Sequence, residues 1–183
     1  MSKRYLMKFT TLDLVIITLL SACGVASKPF VRLLAQIFTG TLIPIGTLAG
    51  AIYMLWIVLA CSMVKKRGTA ILVGIVQAVL VVVFDMLGNR GLANILVYVV
   101  PGIVLELGML LFPAYVAGTF SAFVAGALAN ASGSAIVGVL FLRLHYIPLF
   151  ASLFTSAVTG GIGGILAFRL FVILRKLKTA PQA

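Results

Sequence analysis

Acidic side chains are scarce in this sequence. Asp and Glu number 3 in 183 residues, against 14 Lys and Arg, and charged residues of both signs make up 9% of the chain. Soluble domains carry about 25% charged residues, so a soluble surface is excluded. Hydrophobic residues make up 63% of the chain and form long runs. The composition therefore predicts a protein that is embedded in a membrane along its length.

Nucleic acid is excluded as a partner, although the net charge is +11. Nucleic-acid-binding domains gather Lys and Arg on one face or along one helix. Here the basic residues instead separate apolar runs from one another, as Lys65-Lys66-Arg67 does. Such placement is typical of the loops of membrane proteins.

Catalytic and metal-binding motifs are also missing. The sequence has neither a GxxxxGK[ST] phosphate-binding loop nor an HExxH zinc motif. Cys23 and Cys61 lie inside apolar segments, which argues against a disulfide framework. The single histidine, His145, is distant from both in the chain. We therefore expect no catalytic residue, metal site or cofactor on this chain, and we predict that it is not an enzyme.

Six apolar segments predict an all-α integral membrane protein with six transmembrane helices, in a single membrane domain over 1–183. About 20 apolar residues cross a bilayer, within a range of roughly 17–25. Between the first two segments, Lys28–Gly40 carries charge and proline, and we interpret it as a loop with a short interfacial helix. The predicted spans are Thr11–Ser27, Leu42–Val64, Thr69–Leu87, Leu92–Phe112, Ala114–Leu142 and Tyr146–Leu174.

The distribution of Lys and Arg predicts that both termini are cytoplasmic. An even number of spans places the termini on one side, and Met1–Lys8 is interpreted as a basic segment before the first span rather than a signal peptide. Because cytoplasmic loops carry an excess of Lys and Arg, the terminal side is the inside. That side has Lys3, Arg4, Lys8, Lys65, Lys66, Arg67, Arg175, Lys176 and Lys178, and the other has Lys28, Arg32, Arg90 and Arg143.

Small residues four apart mark helix faces on which another helix can pack closely. Ala22 and Ala26 form such a face on the first span. We interpret this pair as a docking face for a partner. For the other faces we favour packing within the chain; they are formed by Gly46/Gly50, Ala125/Ala129 and the series Ser152, Ser156, Gly160 and Gly164.

Ionisable groups inside a membrane are costly, so each is a candidate for function. Glu106 lies well inside the fourth span and either contacts a ligand or pairs with Arg169. Asp85, near the end of the third span, either contacts a ligand or pairs with Arg90. Asp13 is interpreted as a charge at the N-terminus of a helix.

Aromatic and polar residues at membrane depth could line a ligand pocket, because such pockets are apolar with a few convergent polar groups. Tyr53 and Trp56 lie on one part of the second span and could stack on a planar ring, or could serve in packing. The candidate substrate-binding residues are Tyr53, Trp56, Gln77, Asp85, Asn89, Asn94, Tyr98, Glu106, Arg143 and His145.

Two stretches carry a resemblance to a known family. GAIYMLWIVLACSMVKKRGTAILVGIVQAVLVVVFDMLGN combines an aromatic span, a basic-Gly turn and a third span that ends in Gly-Asn, and VVPGIVLELGMLLF places a glutamate at Glu106. With six spans and the Ala22/Ala26 face, the chain resembles the substrate-binding S components of energy-coupling factor (ECF) vitamin transporters, most closely the YkoE type. The likeness covers roughly residues 42–112, and the first span more weakly.

The resemblance implies a bacterial cell-membrane subunit that captures a water-soluble vitamin or precursor from outside. It implies docking through Ala22 and Ala26 on the transmembrane subunit EcfT, with ATP used by two partner ATPase subunits. The YkoE type is tied to thiamine or its hydroxymethylpyrimidine precursor. This chain has Gly74 and Gln77 where acidic side chains are expected on the third span, so cobalamin or another B vitamin is the next expectation.

Two other functions are consistent with the sequence. A stand-alone facilitator or channel would transport its substrate without an ATPase partner. A membrane-embedded enzyme would need Glu106 and His145 within hydrogen-bond reach as acid and base.

Overall fold

The computed structural model describes residues 9–39, 45–84 and 95–179. The regular structure of these residues is helical. In chain order the helices are α1 (Thr11–Thr39), α2 (Ile45–Val64), α3 (Thr69–Val83), α4 (Leu96–Met109), α5 (Thr119–Ile136) and α6 (Tyr146–Thr179). A π-helical segment, Val137–Phe141, continues α5.

Helix α1 begins with a reciprocal cap. The Asp13 carboxylate accepts hydrogen bonds from the Thr10 amide at 2.7 Å and the Thr10 hydroxyl at 2.8 Å, while the Asp13 amide donates to the Thr10 hydroxyl. This is the capping-box arrangement, which satisfies amide groups left without partners in the first turn. The same carboxylate forms a salt bridge of 2.6 Å with Lys66, so the predicted helix-terminal charge also ties α1 to the α2–α3 turn.

The structure corrects the interpretation of Lys28–Gly40 as a loop with a short interfacial helix. Helix α1 continues without interruption through Pro29 to Thr39. A proline inside a helix removes one backbone hydrogen bond, which membrane helices tolerate, and Pro29 itself is exposed on the surface of α1. The charge at Lys28 does not end the helix, because its ammonium group lies over an aromatic ring of another helix, as described below.

Contacts fix the relative directions of the helices. Asp13 at the start of α1 meets Lys66 after α2, whereas Ser27, further along α1, meets Trp56 inside α2, so these two helices are antiparallel. We call the end of the bundle that holds Lys65–Gly68 the basic end. The opposite end, where Tyr98 lies in the first turn of α4, is the aromatic end.

The hydrophobic core lies mainly toward the basic end. Val58, Cys61, Leu105, Met109 and Val116 are fully buried there. Large hydrophobic side chains are exposed on the outer surface at both ends of the bundle, with Leu111 83% and Ile147 85% exposed. Single exposed apolar residues are ordinary in soluble proteins, but an outer surface with many of them fits a lipid environment.

Helix α6 lies between α5 and α2, and these two pairs share the most extensive contacts in the bundle. The small residues predicted to serve internal packing are buried, namely Gly50, Ala125, Ala129, Ser152, Ser156, Gly160 and Gly164. Asn130 adds a polar contact within the bundle, because its amide donates to the Ser156 carbonyl at 2.9 Å. Close packing of small residues stabilises helix pairs in lipid, where the hydrophobic effect cannot.

Gly163 provides a direct test of this packing. A Cβ at Gly163 would lie 2.7 Å from the Cα of Ala51 on α2. We expect Gly163→Ala to lower the free energy of unfolding by about 1–3 kcal/mol, since overpacking forces backbones apart. The measurement is the melting temperature in detergent. The control is Gly133→Ala, whose Cβ would meet Pro101 at an ordinary 3.4 Å; equal melting temperatures for the two variants would contradict the expectation.

Within the part of the chain that the structure describes, three helices are long and apolar enough to cross a membrane: Thr11–Val31, Thr119–Phe141 and Tyr146–Leu177. The others are shorter apolar helices over their described parts, Ala49–Val64, Thr69–Val83 and Leu96–Met109. The predicted beginning of the fifth span at Ala114 differs from the structure, in which 114–118 form turns before α5 starts at Thr119.

Candidate functional site

Three helices bring a cation and two tyrosines together at the aromatic end. The Lys28 ammonium nitrogen of α1 lies 3.6 Å from the centre of the Tyr98 ring of α4 and 5.9 Å from that of the Tyr53 ring of α2. A cation within about 6 Å of a ring is attracted to the negative face of the π-system. The contact orients Tyr98 and Tyr53, which were predicted to bind substrate, toward one side chain of α1.

Trp56 and Gln77 lie beside the same face of α1. The Trp56 indole N–H donates to the Ser27 hydroxyl at 3.1 Å. At Gly24, an added Cβ would lie 2.6 Å from the Gln77 amide nitrogen, so the Gln77 side chain would have to move, whereas the Trp56 Cβ at 3.4 Å would be in ordinary contact. Gly24, Ser27 and Lys28 are three and four residues apart and therefore share one helix face.

We define the aromatic site as Lys28, Tyr53, Trp56, Gln77 and Tyr98. Gln77 is buried and the other four side chains are half-buried. The group combines ring faces for stacking, an amide that both donates and accepts hydrogen bonds, and one cation. This composition suits a planar, polar organic molecule, since ring faces supply contact area and the polar groups supply orientation.

The remaining predicted substrate contacts divide into two groups. Arg143 and His145 lie in the short connection between α5 and α6 at the aromatic end, and both are exposed. Asp85, Asn89 and Asn94 lie outside the described residues.

Glu106 lies at the basic end, away from the aromatic site. Its carboxylate accepts hydrogen bonds from the Tyr115 hydroxyl at 2.6 Å, the Gly68 amide at 2.8 Å and the Ala70 amide at 3.0 Å. The two amides belong to the first turn of α3, where backbone N–H groups have no partner within the helix. Glu106 therefore caps α3, and these donors take the place of the Arg169 partner considered from the sequence.

Two neighbours complete the arrangement around Glu106. Tyr115 lies in the connection between α4 and α5, and burial raises the pKa of its hydroxyl far above the usual range, so the group stays protonated and donates to Glu106. Arg67 donates to the carbonyl oxygens of Met109 at 2.9 Å and Phe112 at 3.0 Å. These carbonyls lie at the end of α4 and just after it. The α2–α3 turn is therefore joined to α4 through the Arg67 side chain and through the Glu106 side chain.

Within 9–39, 45–84 and 95–179, no three His, Cys, Asp or Glu side chains are grouped in a way that could hold a metal ion. Glu106 and His145, the acid–base pair of the enzyme hypothesis, lie at opposite ends of the bundle.

A protein-family model described as the permease component of an ABC-type cobalt transport system matches residues 12–132. The chain belongs to this family. The matched region contains all five residues of the aromatic site and also Glu106. No curated protein and no solved structure matches the chain. Membership of this family supports two conclusions: this permease component is part of an ECF- or ABC-type importer, and it is embedded in a membrane.

Gly24 and Ser27, which lie beside the aromatic site of this permease component, were not predicted from the sequence, and Lys28 was expected near the ligand only as part of a lining loop, Lys28–Gly40. Lys28 was assigned to a loop because Pro29 follows it directly and Arg32 lies one turn beyond. A usable signal was present, because Gly24 and Lys28 are one helical turn apart and continue the inward face that includes Ile17 and Ser21. The continuous helix places all of them on the same side.

Ala22 and Ala26 lie on the outer surface of α1. Both are exposed, whereas the other small-residue faces predicted from the sequence are buried where the structure describes their side chains. Leu19, 60% exposed, and Phe30, 71% exposed, flank the pair along the same face. The result is a small-residue face flanked by large apolar side chains on the surface of the permease component.

Proposed function

We propose that this permease component is the substrate-binding S component of an ECF-type importer, with six membrane spans and both termini in the cytoplasm. It captures a water-soluble vitamin or vitamin precursor at the aromatic end, which faces outward. A transmembrane coupling subunit of the EcfT type and two ATPase subunits then drive delivery to the cytoplasm.

The observation that carries this proposal is the two-faced character of α1. Its inner face contributes Lys28 to the aromatic site and places Gly24 and Ser27 beside that site, and its outer face presents Ala22 and Ala26. A helix that contacts the ligand on one side and a partner on the other is a direct physical link between loading and coupling. The described basic side chains at the opposite end support the orientation, since they mark a cytoplasmic surface.

For the ligand we propose the thiamine and hydroxymethylpyrimidine class first, followed by cobalamin or another B vitamin. An aminopyrimidine ring is flat and carries hydrogen-bonding groups on its edge. Tyr98, Tyr53 and Trp56 could stack on such a ring, and the Gln77 amide could pair with its edge. The Lys28 cation disfavours a second positive charge, which ranks neutral hydroxymethylpyrimidine above cationic thiamine.

Trp56 is the only tryptophan in the chain, so its fluorescence reports on the aromatic site alone. The test is to titrate the detergent-purified protein with hydroxymethylpyrimidine, thiamine and cobalamin, and to confirm binding by calorimetry. Mass spectrometry of molecules released on denaturation identifies a ligand that was carried through purification. Nanomolar binding by the isolated chain supports the proposal. Transport in liposomes that contain no partner, without high-affinity binding, would contradict it and favour a facilitator.

Tyr98→Leu should weaken ligand binding by about 2- to 10-fold, because it removes ring stacking worth roughly 0.5–1.5 kcal/mol. Calorimetry measures the change. The matched control is Phe120→Leu, an aromatic ring that is 71% exposed on α5 near the basic end. A variant of Tyr98 that binds as tightly as the wild type would remove this ring from the site.

A further inference from the structure

A groove of about 390 Å³ opens at the basic end, beside the C-terminal part of α6. Its lining has two chemical parts. Phe168, Phe171 and Val172 of α6 form an apolar floor, and Lys65, Arg175 and Lys176 supply positive charge. We call these six residues the basic groove; none of them belongs to the aromatic site.

Lys65 has an unusual backbone conformation. It ends α2 at φ +55°, in the left-handed region that favours glycine, and its amide donates to the Cys61 carbonyl at 3.0 Å. Glycine at this position would close the helix without strain. The chain instead carries lysine, whose ammonium nitrogen lies 5.0 Å from the centre of the Phe171 ring. The strained residue thus directs a cation onto the apolar floor of the groove.

The length of α6 places the groove at the edge of a bilayer. A helix of 34 residues is about 51 Å long, whereas the hydrocarbon core is about 30 Å thick. The C-terminal turns of α6 therefore extend to the level of the lipid headgroups. Arg175 and Lys176 are exposed there, and the half-buried Phe168 and Phe171 lie one to two turns closer to the bilayer centre.

We propose that the basic groove binds an anionic phospholipid from the surrounding bilayer. Lys65, Arg175 and Lys176 contact the headgroup phosphate, and the first part of an acyl chain lies on Phe168, Phe171 and Val172. Charge complementarity supports a lipid without a cationic headgroup. The inference requires only that the chain is embedded in a membrane, and it is independent of the transported ligand.

The test is native mass spectrometry of the full chain in detergent, titrated with dioleoylphosphatidylglycerol and, separately, with dioleoylphosphatidylcholine. We expect the anionic lipid to bind at least about tenfold more tightly. Lys65→Gly should weaken its binding about fivefold, and Lys65→Gly with Arg175→Gln about 25-fold, since each basic group near a membrane surface contributes a similar amount. Lys65→Gly should leave the melting temperature unchanged or raised, because glycine suits the left-handed conformation.

Arg143→Gly is the matched control. Arg143 is also an exposed basic residue with positive φ, +47°, but it lies at the aromatic end. We expect it to leave the affinity for phosphatidylglycerol unchanged. Equal affinities for the two lipids, or a Lys65→Gly variant that binds like the wild type, would overturn the proposal. So would displacement of the lipid by millimolar inorganic phosphate, which would indicate a site for a free anion. Loss of partner co-purification in the Lys65 variant, without any preference for the anionic lipid, would assign the groove to an acidic protein segment instead.

Discussion

Replacing Ala22 or Ala26 with tryptophan should strongly reduce ligand uptake while ligand binding is preserved. Both positions are exposed on α1, so a larger side chain has room beside the residues that the structure describes and the fold is retained. A partner helix that packs on the alanines would be pushed away, because close approach between membrane helices depends on small residues. Overpacking of this kind costs about 1–3 kcal/mol, which is roughly a 5- to 150-fold loss in association.

The experiment measures uptake of labelled ligand in cells that express the chain with its coupling module, and binding to the purified variant by calorimetry, because each variant adds a second tryptophan beside Trp56. Ala151→Trp is the control, because Ala151 is another exposed alanine, near the start of α6. It should leave both uptake and binding unchanged. Normal uptake in the Ala22→Trp and Ala26→Trp variants would exclude this face of α1 as the docking surface.

Helix boundaries were predicted well where local chemistry stops a helix. The end of α2 at Val64 and the start of α3 at Thr69 agree with the structure, because Lys65-Lys66-Arg67-Gly68 combines charge with a glycine that adopts φ +92°. The start of α6 at Tyr146 also agrees. The predicted end of α1 was wrong, because proline and charge in its second half were interpreted as helix-breaking, whereas the helix continues through them to Thr39.

The function of individual side chains was harder to predict, since it depends on contacts between distant segments. The sequence identified Tyr53, Trp56, Gln77 and Tyr98 by residue type alone, and the structure brings them into one group with Lys28. For Glu106, the sequence indicated only that an ionisable group inside an apolar segment is energetically costly. Its hydrogen-bond donors lie 36 and 38 residues before it and 9 residues after it, and no local pattern predicts such partners.

Substitution of Glu106 should have a large effect on the free energy of unfolding. Glu106→Ala should lower the free energy of unfolding by about 3–5 kcal/mol, because two amides of α3 and the Tyr115 hydroxyl lose their acceptor in a buried setting. Glu106→Gln keeps one carbonyl oxygen as an acceptor and should cost only about 1–2 kcal/mol. The measurement is unfolding in detergent titrated with SDS, followed by circular dichroism.

The same pair of variants distinguishes a capping role from a role in ligand binding. Glu106 lies at the basic end, so the folded fraction of Glu106→Gln should bind ligand with the affinity of the wild type. Trp56 fluorescence reports both quantities at once, since its change with SDS follows unfolding and its change with ligand follows binding. A loss of affinity of tenfold or more in Glu106→Gln, with stability unchanged, would contradict the capping role and return Glu106 to the ligand site. Reduced stability with normal affinity would instead show that this buried carboxylate holds α3 and α4 together at the basic end, beneath a binding site that it does not touch.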